Sequence, residues 1–167
     1  MQNLDWKILL SADPPWVHMI YCPEREVDNF SLSVPSSSGV VVRIIRGKRC
    51  NTIKGFFQEW AAALQFPYYF GENWGAFDEC INDLEWLPAK SYVIFVTHID
   101  CVLPDSKEDF RIFTEILKDS ASEWRNSVEV TAQSGRIITP FHIIFHSEPE
   151  NENNARNRLK EAGLDIV

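Results

Sequence analysis

The sequence predicts an α/β fold: a small three-stranded parallel sheet flanked by helices, with an N-terminal extension able to add strands. Three runs, "GVVVRIIRG", "SYVIFVTHI" and "FHIIFH", are almost continuously apolar, as strands buried on both faces are. Between them the apolar residues recur at helical spacing. Strands alternating with helices imply a parallel sheet with right-handed crossovers. At 167 residues the chain is about one domain long, and no internal repeat divides it.

The first part of the chain is the least regular. "WKILL" and "WVHMIYC" read as two short strands separated by a turn at Asp13-Pro14-Pro15. "VPSSSG", Val34 to Gly39, is a polar linker, which sets an extension over residues 1–39 apart from a main domain over 40–167. The extension either covers an open edge of the sheet, where uncovered strands invite aggregation, or widens a binding surface. Gly39 to Gly47 is the first core strand. "TIKGFFQEWAAALQF" follows as a helix with Ile53, Phe56, Phe57, Trp60, Ala61 and Leu64 on one face and Thr52 as N-cap. Pro67 and Gly71 bracket a loop, and Asn73 is placed to cap a second helix.

Ser91 to Ile99 is the second strand, and Asp105 to Asn126 a long helix with Phe110, Phe113, Ile116, Leu117 and Trp124 largely on one side. "VEVTAQSGRIITP" suits either a loop or a short hairpin. After the third strand, "ENNARNRLKEAGLDIV" closes the chain with a helix stopped at Gly163.

Composition narrows the function. A net charge of −8 disfavours nucleic acid as a direct partner, because phosphates would be repelled. A basic protein is favoured instead. Cys22, Cys50, Cys80 and Cys101 are widely spaced, which suits free thiols in a reducing cytoplasm rather than a disulfide framework or zinc site. His142 and His146 share one side of a strand about 13 Å apart, too far for one ion. No metal or cofactor is implied. No stretch reaches the length of a membrane span, and the N-terminus lacks the form of a secretory signal, so a cytoplasmic location is expected.

"YYFGENWGAFDECINDLEWLP", Tyr68 to Pro88, holds five acids and no lysine, arginine or histidine. On the second helix Trp74, Phe77, Ile81 and Leu84 form an inward face, leaving Gly75, Asp78, Glu79, Asn82 and Asp83 outward. Such clustered acids repel one another, and Asp83 and Glu85 sit at the helix end that disfavours negative charge. Local conflict of this kind is expected at functional sites.

These residues resemble the signature of the barstar family, intracellular inhibitors of ribonucleases. The resemblance rests on the tyrosine-rich loop, the Gly71-Glu72-Asn73 turn and the Glu79-Cys80 pair, covers roughly residues 40–99 well and the later helix and "FHIIFH" strand more loosely, and leaves residues 1–39 without a counterpart. It implies a barstar-like sheet whose loop and second helix plug a ribonuclease active site. Tyr69 and Asn73 would then lie at the interface, Glu79 in the enzyme's anion centre, and Asn82 and Asp83 along the next turn. Gly75 and Asp78 belong to the same partner surface but depart from the pattern: Gly75 stands where the family commonly has an aspartate, and Asp78 where it has a bulky aromatic.

The resemblance implies no catalytic residue and a monomer when free. Two other readings compete. One is a hydrolase using paired carboxylates from Asp78, Glu79, Asp83 or Glu72, although acids on one exposed helical face form a convex surface rather than a cleft. The other is an immunity or adaptor protein of the same fold for a basic partner that is not a ribonuclease.

Overall fold

The computed structural model describes residues 6–34, 38–126, 138–164 and 166. Its elements in chain order are α1 (Trp6–Leu9), β1 (Val17–Tyr21), α2 (Glu24–Ser33), β2 (Val40–Arg46), α3 (Ile53–Leu64) and α4 (Trp74–Asp83), then β3 (Ser91–Thr97), α5 (Lys107–Arg125), β4 (Phe141–Ser147) and α6 (Glu152–Glu161). The strands form one parallel sheet in the order β1-β4-β3-β2.

The sheet therefore has four strands, not three. The added strand comes from the N-terminal segment: Val17–Tyr21 pairs with β4, in register from Val17 opposite Ile143 to Tyr21 opposite Ser147. "WKILL" forms a single helical turn rather than a strand, and its Leu9 is fully buried. The "GVVVRIIRG" run, expected to be buried on both faces, forms an edge strand with most of its residues half-buried. Its β-branched content reports strand propensity as much as burial. β3 and β4 are the central pair and are buried along their whole length. The stretch read as a loop or hairpin lies, up to residue 137, outside the described residues.

Side chains alternate across the pleat and supply two cores. Ile45, Val96 and Phe145 face α3, α4, α5 and α6. Ile44, Phe95 and Ile144 face the other way, onto Leu9, Val27 and Phe30, with the Phe30 and Phe95 rings 5.4 Å apart edge to face. The N-terminal segment thus supplies both an edge strand and the cover for the second face of the sheet.

The expected Thr52 cap forms, accepting from the Gly55 N–H, and Ser106 caps α5 by accepting from the Asp109 N–H. Gly163, at φ 82°, closes α6, with the Leu164 N–H donating to the Leu159 carbonyl. Arg46 grips the buried Glu59 of α3 with two guanidinium bonds of 2.7 Å and its own backbone N–H. Burial alone would raise the Glu59 carboxyl, but these bonds and the Arg46 charge outweigh it and hold the carboxyl below its ordinary value.

His142 and His146, on the same side of β4, occupy separate buried polar nests. His142 contacts the Ser11 carbonyl through Nε2 at 2.8 Å and His18 through Nδ1 at 3.1 Å. Burial and the neighbouring His142 lower the His18 pKa from 6.5 to about 4, and burial lowers that of His142. The unfolded chain then takes up protons before the native one does. This contribution to stability is complete above about pH 6.5 and declines as pH falls toward about 4. Urea denaturation at pH 7.5 and pH 5 will show a loss of stability on acidification that is smaller in His18→Gln. A second expected outcome concerns the N-terminal layer. A chain beginning at Gly39 will bind hydrophobic dyes and aggregate, because Val93, Phe95 and Ile144 lose their cover.

Candidate functional site

The segment from Phe66 to Leu84 is held from below by aromatic rings. Phe56 of α3 is fully buried, with ring centroids 5.1 Å from Trp74, 5.3 Å from Phe77 and 5.0 Å from Phe113. Phe57 packs on Phe70 and Trp74, and Trp60 on Phe77 at 5.1 Å. The Trp74 indole N–H donates to Asp109 of α5 at 3.0 Å, tying the start of α4 to its neighbour. At the other end the Trp124 indole donates to the Ile81 carbonyl at 3.1 Å, satisfying an acceptor in the last turn of α4.

Capping fixes where α4 begins. Asn73 accepts the Ala76 N–H at 2.9 Å and donates its amide to the Gly71 carbonyl at 3.2 Å. Glu72, just before it, stands at φ 47° and is exposed, a left-handed conformation that turns the chain from loop to helix. Leu84 ends the helix in the left-handed region at φ 50°, with its side chain 1% exposed.

The predicted division of α4 into two faces holds. Phe77, Cys80 and Ile81 are buried, while Gly75, Asp78 and Glu79 are exposed and Asn82 and Asp83 half-buried. Tyr69 is 66% exposed on the preceding loop. Tyr69, Asn73, Gly75, Asp78, Glu79, Asn82 and Asp83 are therefore all carried by one continuous loop-helix segment with its apolar side anchored inward.

The surface is not uniform. Asp78 accepts from the Asn82 amide at 3.1 Å, while Asn82 Oδ1 is buried without a hydrogen-bond partner among the described residues. Desolvation, then the charge of Asp119 on α5, raise the Asp78 carboxyl above its ordinary value, with Glu79 adding to the effect. Cys80 is only 5% exposed, and burial, then Asp83 and Glu79, raise its thiol above the ordinary value.

Two contributors escaped the sequence reading. Tyr68 is fully exposed and stands edge to face with Tyr69 at 5.7 Å, adding to the exposed aromatic surface of the loop. Asp119 extends the acidic field from a different helix, which no local pattern could have shown.

Comparison with protein-family models matches residues 40–135 to Barstar (barnase inhibitor). The match spans more than half of the chain, from β2 into the segment after α5, and the protein belongs to the barstar family, a family of inhibitors. Among curated proteins, none matches the sequence. β1 and α2 precede the matched region, and β4 and α6 follow it.

Gly75 has no backbone reason to be glycine: its φ is not positive, and an added Cβ would approach only Asn73 Oδ1, at 3.4 Å. Gly75→Ala should stabilise the free protein by about 0.4–1 kcal/mol, read from chemical denaturation. If Gly75 lies against a partner, the same methyl group will weaken binding.

Proposed function

We propose that this protein is a non-enzymatic inhibitor of a basic ribonuclease, an immunity protein acting in the cytoplasm, which occludes the enzyme active site with its acidic loop and α4. Family membership supports the class of partner. The observation that carries the reading is the outward face of α4. Gly75, Asp78 and Glu79 are exposed beside Tyr68 and Tyr69 on a segment whose other face is locked into the core.

That combination suits binding to a cationic cleft. A carboxylate matches an arginine fork in place of a phosphate, and clustered acids accelerate encounter with a positive surface. Exposed tyrosines supply contact area at low entropic cost. In this reading Glu79 enters the enzyme's anion site, with Tyr69, Asn73, Gly75, Asp78, Asn82 and Asp83 around it. The acids lie on an outer helical face, which disfavours the paired-carboxylate hydrolase.

A second reading keeps the surface and changes the partner to a basic protein that is not a ribonuclease. The replacement of one acid by Gly75 and the like charge of Asp119 acting on Asp78 favour it, because carboxylate positions set partner choice.

Pull-down from the native host with the wild type and the Glu79→Ala/Asp83→Ala variant, at low and moderate salt, decides between these. A basic nuclease should be retained by the wild type, stop cleaving RNA on mixing, and be lost with the variant. Truncating a carboxylate buried against a cation is expected to cost about 2–5 kcal/mol of binding, including the penalty of leaving that cation unpaired, a range drawn partly from the barnase–barstar complex itself. Capture of a basic protein without nuclease activity points to the second reading. Equal capture by both forms removes α4 from the interface.

A further inference from the structure

Because the sheet is parallel throughout, β1, β4 and β3, which are neighbours, all end on the same side. Just beyond those three ends stand Glu24, at the start of α2, Glu148 after β4 and His98 after β3. In open α/β sheets, ligands gather at the carboxyl ends of strands.

His98 is the unusual member. It adopts φ 49°, and its side chain is only 4% exposed, yet neither ring nitrogen has a hydrogen-bond partner among the described residues. Buried polar atoms are normally satisfied, so each orphan asks for an explanation. Nδ1 lies 3.7 Å from Glu24 Oε1, and Nε2 lies 3.7 Å from Glu148 Oε1. One ligand atom from each of the three residues lies within 4.8 Å of the other two.

The surroundings hold the three in place. The His98 backbone N–H donates to His146 Nδ1 at 3.3 Å, which leaves His146 Nε2 to donate to the Cys22 carbonyl at 2.7 Å. Glu148 Oε1 accepts the Glu24 N–H at 3.1 Å. The Arg158 guanidinium gathers the carbonyls of Ile99, Asp100, Val102 and Leu103, bracing the turn that follows His98. At Gly47 an added Cβ would run into the Thr97 carbonyl and lie 2.6 Å from that of His98, so the end of β2 closes on the same turn.

We propose that Glu24, His98 and Glu148 bind a divalent ion of the zinc class, through one imidazole nitrogen and one oxygen from each carboxylate, with water completing the coordination. Zinc takes such ligands at about 2.0–2.2 Å, so the carboxylates must draw inward. Both are partly exposed, at 41% and 25%, and their side chains can rotate. Their two negative charges balance the ion. The competing cation is Lys48, whose Nζ lies 3.9 Å from Glu24 Oε2 on an exposed, flexible stem. The bound ion joins α2 of the N-terminal layer to the two central strands, a structural staple independent of the acidic face of α4.

The test is calorimetric titration of chelator-treated full-length protein with Zn²⁺, with Co²⁺ as spectroscopic reporter. One equivalent should bind, raise the melting temperature, and give visible Co²⁺ bands without a thiolate charge-transfer band. Glu148→Gln keeps an acceptor for the Glu24 N–H, and asparagine at His98 tolerates the left-handed backbone. Both Glu148→Gln and His98→Asn should weaken binding by about tenfold or more. Circular dichroism checks their folding, and if His98→Asn does not fold, Glu148→Gln alone decides. No binding by the wild type, unchanged binding in the folded variants, or a thiolate band would overturn the proposal.

Discussion

The packing of aromatic rings around Phe56 is the interaction on which the candidate surface depends. Considered as an isolated peptide, α4 is poor: it begins with a tryptophan and a glycine, and Glu79 and Asp83 repel one turn apart. Such a like-charge pair costs about 0.2–0.5 kcal/mol. Burying one phenylalanine contributes about 1.5–3 kcal/mol, and each well-placed ring pair about 0.5–1.5 more. Phe77 is fully buried, with Phe56 and Trp60 both within 5.3 Å of its ring centre. The core therefore outweighs the repulsion several times over. It also fixes rotation about the helix axis, which decides where each carboxylate points.

Much of this was legible in the sequence, because it is local. Thr52 and Asn73 announced their helices as caps, and the spacing of Trp74, Phe77 and Ile81 named the inward face of α4. Where the reading failed, the deciding partner lay far away in the chain. "GVVVRIIRG" has the composition of a central strand, yet it lies at an edge because β1 joins the opposite side of the sheet. Leu9 belongs to a short apolar run that fits a strand, but it sits in a helical turn against the sheet, where the Ser91 hydroxyl takes its carbonyl. Asp119 and Asp78 influence each other only because α5 lies beside α4. Glu24, His98 and Glu148 carry no motif at all, since parallel strands bring their ends together from distant parts of the chain.

The two faces of the sheet are specialised. One carries the aromatic core and, above it, the acidic surface. The other is covered by the N-terminal layer, whose polar attachments run through histidines: His142 to Ser11 and His18, and His146 to Cys22. Burial keeps these rings less basic than usual, so the attachment is strongest when they are neutral. The segment matched by the family model carries the acidic surface, whereas β1 and β4 complete the sheet from either side of it in sequence.

The strand order also dictates a sequence of events during synthesis. β1 leaves the ribosome first, but within the sheet it pairs with β4, 124 residues away as measured between His18 and His142. Until β4 appears, β1 has no ladder to join and α2 no finished surface to cover. β2, α3, α4 and β3 are contiguous and can associate while translation continues. Contacts between distant segments are slow to form, because loop closure must come before any gain from pairing. On this topology the acidic helix can find its bed from neighbouring segments, whereas the N-terminal layer needs β4 before its edge of the sheet exists.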